Sequence, residues 1–293
     1  MFERILVALD GSADSHRAAE LAIFLAGRFE SSLTALFVID TRFIEGPAIE
    51  ALAPIWGEVG VGAFRADVLK AWRERSAAEL DRFVERASVA GVESVERREA
   101  AGLPEESIVE AGRSADLVVI GRRGENAGFG IHPIGSTLAR VLRQASHPVL
   151  VPGRAPEGDE RSTALSAAVP SIVPPETVLV ALDDHAPSAR ALDLAIRYCA
   201  AVRAEIRLLT AGQEDADELL APAHRLCDDH GIAWESVRLD AEPDEAVLEG
   251  IERWRADWLF MGAYGHGRIY DLVLGSRTEE ILAKIPVPAF VVR

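Results

Sequence analysis

Cysteine, aromatic side chains, positive charge and long apolar runs are all scarce in this sequence. Only Cys199 and Cys227 are present. They stand singly in helical patterns, so they build no disulfide framework and no C-x2-C metal site, and read as core filler. No apolar run reaches the roughly 18 residues of a membrane-spanning helix. The start, Met1-Phe2-Glu3-Arg4-Ile5, enters a strand pattern without the basic and apolar regions of a signal peptide. A reduced, cytoplasmic protein is expected. Lys and Arg number 31 against 47 Asp and Glu, a formal charge of −16. That balance leaves no basic stripe for nucleic acid and disfavours anionic lipid.

What is present is an apolar half, 49% of 293 residues, enough for two cores. The chain also repeats itself. Ile5-Leu6-Val7-Ala8-Leu9-Asp10 matches Val178-Leu179-Val180-Ala181-Leu182-Asp183, and each run is apolar enough for a strand buried on both faces. Arg17 to Ala22 matches Arg190 to Ala195 at helical spacing, and Gly91 matches Gly231 as a helix stop. Pro104 and Pro243 each open a helix. Strands alternating with helices imply an α/β fold: two doubly wound, Rossmann-like parallel-sheet domains in tandem. The first spans 1–151, a Pro- and Ala-rich linker 152–176, and the second 177–293. The repeat offset falls from 173 residues at Asp10 and Asp183 to 140 at Gly91 and Gly231, so the first copy carries 33 extra residues. Most lie at about 41–67, where glycines and prolines suggest a loop ahead of a helix from about Val68 to Ala90.

The stretch with most chemistry runs from Met261 to Ser276, between the apolar Trp258-Leu259-Phe260 and a helical pattern from Thr278. Gly262, Gly265 and Gly267 allow close backbone approach, and a following helix N-terminus can hold an anion. Gly121-Arg122-Arg123-Gly124 and Gly135-Ser136 form a second copy, with ten rather than nine residues between Gly124 and Gly135. A glycine-rich turn with no ligand is the plain alternative.

The spacing Gly262-x2-Gly265-x9-Gly275-Ser276 resembles the nucleotide loop of the universal stress protein family. The Leu-Asp ending of the first strand in each half, and the Pro148-to-Val151 and Pro288-to-Val292 endings, extend the likeness over nearly the whole chain. The resemblance implies an adenine nucleotide alpha hydrolase-like fold and a stress-response protein that binds ATP, with Mg2+ as its counter-ion. In ATP-binding members the aspartate after strand one contacts the nucleotide, a residue of strand two touches adenine, and the glycine loop holds phosphates. By that resemblance the site is Asp183, Ala211, Met261, Gly262, Gly265, His266, Gly267, Gly275, Ser276 and Arg277. In the first half it is Asp10, Val38, Gly121, Gly124, Gly135 and Ser136. The extra loop residue makes the second site the expected stronger binder.

Other readings remain open from the residues. Asp183 equally suits a helix cap, and His132 and His266 suit solvent-facing loop positions. No nucleophile elbow or assignable Ser-His-Asp set occurs, so any ATP hydrolysis should be slow and the role regulatory or protective. Asp10-Gly11-Ser12-Ala13-Asp14-Ser15 is similar to the pyrophosphate loop of ATP pyrophosphatases, but begins with Asp and is not repeated at Asp183. A nucleotide-free scaffold for a regulatory partner is the third reading. The final strands, Val149-Leu150-Val151 and Phe290-Val291-Val292, should pair antiparallel within the chain, leaving the insertion free to contact a second copy in a homodimer.

Overall fold

The computed structural model describes residues 1–51, 53–125, 134–155, 172–212, 216–263 and 276–293. Strand β1 (Arg4–Leu9) is apolar from Ile5 onward because both its faces are covered. Ile5, Val7 and Leu9 enter one core, and Leu6 and Ala8 enter the other. Helix α1 (Ala13–Phe29) starts where the Ser12 hydroxyl accepts from the Ser15 N–H. It stops at Glu30 in the left-handed region. Strand β2 (Ser32–Asp40) then pairs parallel with β1.

The expected loop at about 41–67 is instead helical. Short helices α2 (Arg42–Glu45) and α3 (Pro47–Glu50) lead into α4 (Ala53–Val89), which breaks only at Gly57 with φ 71°. Its C-terminal part packs Leu80, Phe83 and Ala87 into the core. A helix so nucleated extends at low cost, and Val61 and the edge-on pair Trp56 and Phe64 hold its first turns despite the glycines.

Strand β3 (Val95–Gly102) follows. Val92 belongs to the helix stop: its N–H closes back on the Ala87 carbonyl after Gly91 at φ 82°. Then come α5 (Pro104–Gly112), β4 (Leu117–Ile120), α6 (Ser136–Gln144) and β5 (Val149–Val151). The second half repeats the order: β6 (Thr177–Leu182), α7 (Ala186–Val202), β7 (Glu205–Ala211), α8 (Ala216–Asp229), β8 (Trp234–Leu239), α9 (Pro243–Trp254), β9 (Trp258–Gly262), α10 (Ser276–Lys284) and β10 (Ala289–Val292).

The strands form one ten-stranded sheet in the order β3-β2-β1-β4-β5-β10-β9-β6-β7-β8. Every pairing is parallel except β5 with β10, where Leu150 faces Phe290 in an antiparallel register. The two halves are therefore related by a pseudo-two-fold axis at this seam, and the C-terminal strand ends of each half point to opposite edges of the sheet. Helices α1, α4, α7 and α8 cover one face, and α5, α6, α9 and α10 the other. Asp116 and Asp257 do the same job in each half. Each carboxylate accepts two backbone N–H bonds at the start of the first strand, from Glu3 and Arg4 or from Glu176 and Thr177, at 2.8 to 3.0 Å.

Aromatic side chains tie the halves together along the α1–α7 face. Phe2 stacks on Phe290 at 5.9 Å, Phe29 meets Tyr198 edge-on at 5.9 Å, and Phe24 lies 6.3 Å from Trp258. Burial among these rings pushes the Tyr198 hydroxyl well above its ordinary pKa. Cys199 and Cys227 are buried free thiols, and burial pushes Cys199 up to about 12, as core filler should behave. Phe290 touches rings of both halves, so Phe290→Ala should destabilise the protein by about 3–5 kcal/mol and keep a single urea transition. A midpoint within error of wild type, or two separated transitions, would show that the seam does not join the cores.

Candidate functional site

In a doubly wound sheet a crevice opens where the strand order reverses, beyond the strands' carboxyl ends. Here those points lie between β1 and β4 and between β6 and β9. The first holds a cavity of about 310 Å3. Its floor is apolar, from Ala8, Leu36, Ile108, Ile120, Ile134 and Leu138, and its mouth carries Asp10, Ser12, Arg42, Arg123 and Glu125. Asp10, Val38, Gly121, Gly124, Gly135 and Ser136 all line this one cavity.

Local geometry explains each of them. The Asp10 carboxylate accepts from the Ser12 N–H at 2.9 Å and from the Glu125 N–H at 3.2 Å. It thus sets the turn into α1 and holds the end of the glycine segment against β1. Gly124 is needed for that contact, since a Cβ there would stand 2.8 Å from Asp10 Oδ2. Gly121 is demanded by packing alone. Its Cβ would stand 2.9 Å from the backbone of Asp14 and Ser15 at the start of α1. Gly135 sits over this turn, its N–H donating to the Arg122 carbonyl at 2.9 Å, and α6 begins at Ser136. The backbone at the head of α6 therefore faces the cavity, as an anion-holding terminus does.

Buried charge supports the loop from behind. Asp14 accepts from the Arg123 N–H at 2.8 Å and pairs with Arg17 and Arg122. Burial lowers the Arg122 pKa, with Asp14 opposing the shift. Arg122 Nη1 reaches across the seam to the Ala283 carbonyl of α10 at 2.8 Å.

The second crevice repeats the frame. His185 N–H donates to Asp183 Oδ1 at 3.0 Å, and Asp183 N–H to Ser188 Oγ at 3.0 Å, where the first half has Ser15 Oγ at 3.4 Å from Asp10 N. The cap of α7 is His185, so Asp183 sets the turn before the helix rather than capping it. Asp183, Ala211, Met261, Gly262 and Arg277 line a smaller cavity of about 90 Å3. Gly262 is again a packing glycine, its Cβ 2.9 Å from the Ser188 N. Arg277 is committed to Glu242, Asp244 and Glu280. Gly265, His266, Gly267 and Gly275 lie outside the described residues, as does His132. Ser276 begins α10.

The family model described as Universal stress protein family matches residues 1–152 and 210–293. The chain belongs to this family. A universal stress protein of Synechocystis sp. is 26% identical over 99% of this chain and 100% of its own length. One of Mycolicibacterium smegmatis is 26% identical over 99% and 96%. A solved universal stress protein of Archaeoglobus fulgidus covers 99% of the chain and 98% of its own, with a TM-score of 0.71 at 22% identity, and so shares the tandem fold. A universal stress protein solved in complex with cAMP aligns with 51% of the chain at 26% identity and a TM-score of 0.35.

Several lining groups of this universal stress protein have no counterpart in the loop motif: Trp72, Arg42, Asp40 and Glu125 in the first crevice, and Thr278 in the second. Trp72 falls within the helix expected from about Val68 to Ala90, a pattern that does not by itself mark a crevice residue. No helix among the described residues is long and apolar enough to cross a membrane.

The second crevice is braced by Asp244 in the first turn of α9, where Lys284 Nζ of α10 lies 2.6 Å away. Lys284 holds the Asp244 carboxyl below the usual range, against desolvation. A depressed carboxylate contributes stability above its unfolded pKa and loses it as pH falls through the folded value. Lys284→Gln should therefore lower the urea midpoint at pH 7, with a difference from wild type that shrinks as pH falls below the ordinary carboxylate range. A difference that stays constant to pH 3 would show that the pair carries none of it.

Proposed function

We propose that this chain is an adenine-nucleotide-binding stress-response protein, with a regulatory or protective role. The observation that carries this is the first crevice. It joins an apolar floor large enough for a base to an acid at the ribose position and to exposed backbone at the head of α6. Such a crevice combines shape with few convergent polar groups, as small-ligand sites do. ATP fits this set in kind, with Val38 beside the base and Gly124, Gly135 and Ser136 at the phosphates. Ser12 adds a hydroxyl at the mouth.

For the second crevice, loop spacing supports binding and ranks it above the first, whereas the described lining is smaller and its arginine is already paired. Residues 264–275 of the second crevice lie outside the described residues, so we keep the ranking that loop spacing gives, the second crevice above the first, and take both as ATP sites. Mg2+ would arrive with ATP and keep its waters. Asp183, Asp184 and His185 set one donor atom each within 4.8 Å, but the imidazole nitrogen makes this a poor oxygen-only magnesium set.

Neither crevice, among the described residues, pairs a positioned base with a charge clamp, as fast phosphoryl transfer needs. ATP turnover above about 1 s⁻¹, the range of dedicated kinases, would contradict a binding role. The direct test is calorimetry with ATP on three proteins. Gly275→Val should remove the tighter site and Gly124→Val the weaker one. ATP heats unchanged by both substitutions would refute the assignment.

A further inference from the structure

Helix α4 brings to the first crevice a side chain that is not among the described lining of the second. Helices α4 and α8 end two residues before the matching Gly91 and Gly231. Counted back from those glycines, the start of α8 at Ala216 falls at Ser76. Trp72 and Arg75 match Gly212 and Asp215 in the sequence, so the second half carries neither an aromatic nor a cation at those positions. In the first half Trp72 lines the cavity, and the Arg75 guanidinium lies 5.4 Å over its ring. Arg75 Nη2 donates to the Asp10 carbonyl at 3.0 Å, and Nη1 pairs with Glu125 Oε1 at 2.6 Å. Gly11 leaves room for this, since a Cβ there would stand 2.7 Å from Nη2.

The cations around this cavity differ in how firmly they are held. Arg42 is held on Asp40, its Nε donating to both carboxylate oxygens at 2.9 and 3.0 Å. Arg122 is buried between Asp14 and the Ala283 carbonyl. Arg75 is fixed by Asp10 and Trp72 on one side, yet its charge partner is exposed: the two side chains are 33% and 41% accessible. A solvated pair of this kind contributes little and is readily exchanged. A phosphate at the adjoining glycine turn would offer the same fork a doubly charged, less movable acceptor.

We infer that Arg75 is a phosphate-binding residue of the first crevice, held ready by Glu125, and that it makes this site select nucleoside polyphosphates over nucleosides. Glu125 acts as a stand-in anion. It keeps Arg75 aimed at the mouth, and it competes with the incoming phosphate. In the sequence the position matching Arg75, 140 residues on, is Asp215, which carries no positive charge. This inference rests on the nucleotide reading of the first crevice.

The test is calorimetry with ATP and with adenosine, in full-length protein carrying Gly275→Val to silence the second crevice. Arg75→Gln should weaken ATP by about ten- to a hundredfold, the loss of one charge-assisted contact, and leave adenosine affinity unchanged. Arg75→Lys should recover part of the loss, because it keeps charge without the fork. Glu125→Gln should tighten ATP several-fold by removing the competitor. An ATP-to-adenosine ratio unchanged by Arg75→Gln would overturn the inference while leaving the nucleotide reading intact. Failure of the Arg75-containing protein to bind either ligand would overturn both. Equal losses for ATP and adenosine would assign Arg75 to the crevice's framework and also overturn it.

Discussion

The antiparallel pairing of β5 with β10 is the contact on which the rest of the molecule depends. Each is a short apolar strand at the end of its half, and each alone would expose unpaired backbone groups and buried-type side chains. Pairing them satisfies both edges and makes the two apolar faces of the sheet continuous across the chain. The ring cluster around Phe290 and Tyr198 then fixes one face of the seam, and the Arg122 contact with Ala283 fixes the other.

This pairing also decides where chemistry can occur. Because the strands of the two halves run in opposite directions, the crevices open on opposite edges of one sheet. They are distinct sites built from equivalent frames. The frames share the aspartate turn after the first strand, the packing glycine against the first helix, and the serine-headed helix after the loop. They differ in what decorates them. In the first half Trp72 of α4 lines the cavity and Arg75 is bonded to Asp10 and Glu125 at its mouth, whereas the second places Arg277 among three carboxylates. The two halves share a scaffold and differ in these side chains.

Much of this was legible in the sequence. Buried parallel strands read as apolar runs, and the internal repeat exposed matching aspartates, glycines and prolines. The six candidate residues of the first half do converge on one cavity. The insertion was misread as a loop because Gly57, Gly60 and Gly62 weaken local helix preference, while the packing that propagates α4 lies residues away, at Leu80 and Phe83. The packing demand at Gly121 and Gly262 was also hidden: the motif suggests ligand approach, and only the distance to α1 and α7 reveals it. Arg75 could not be found from motif spacing, since it reaches Asp10 and Glu125 across 65 and 50 residues of chain.

The claim that one sheet runs through both halves is tested most directly by native-state hydrogen exchange at residues 149–151 and 289–292. If β5 and β10 form the centre of a single sheet, their ladder amides exchange only through global unfolding, with the protection of β1 and β6. Exchange as fast as in the edge strands β3 and β8 would contradict it, and would leave two domains that merely touch.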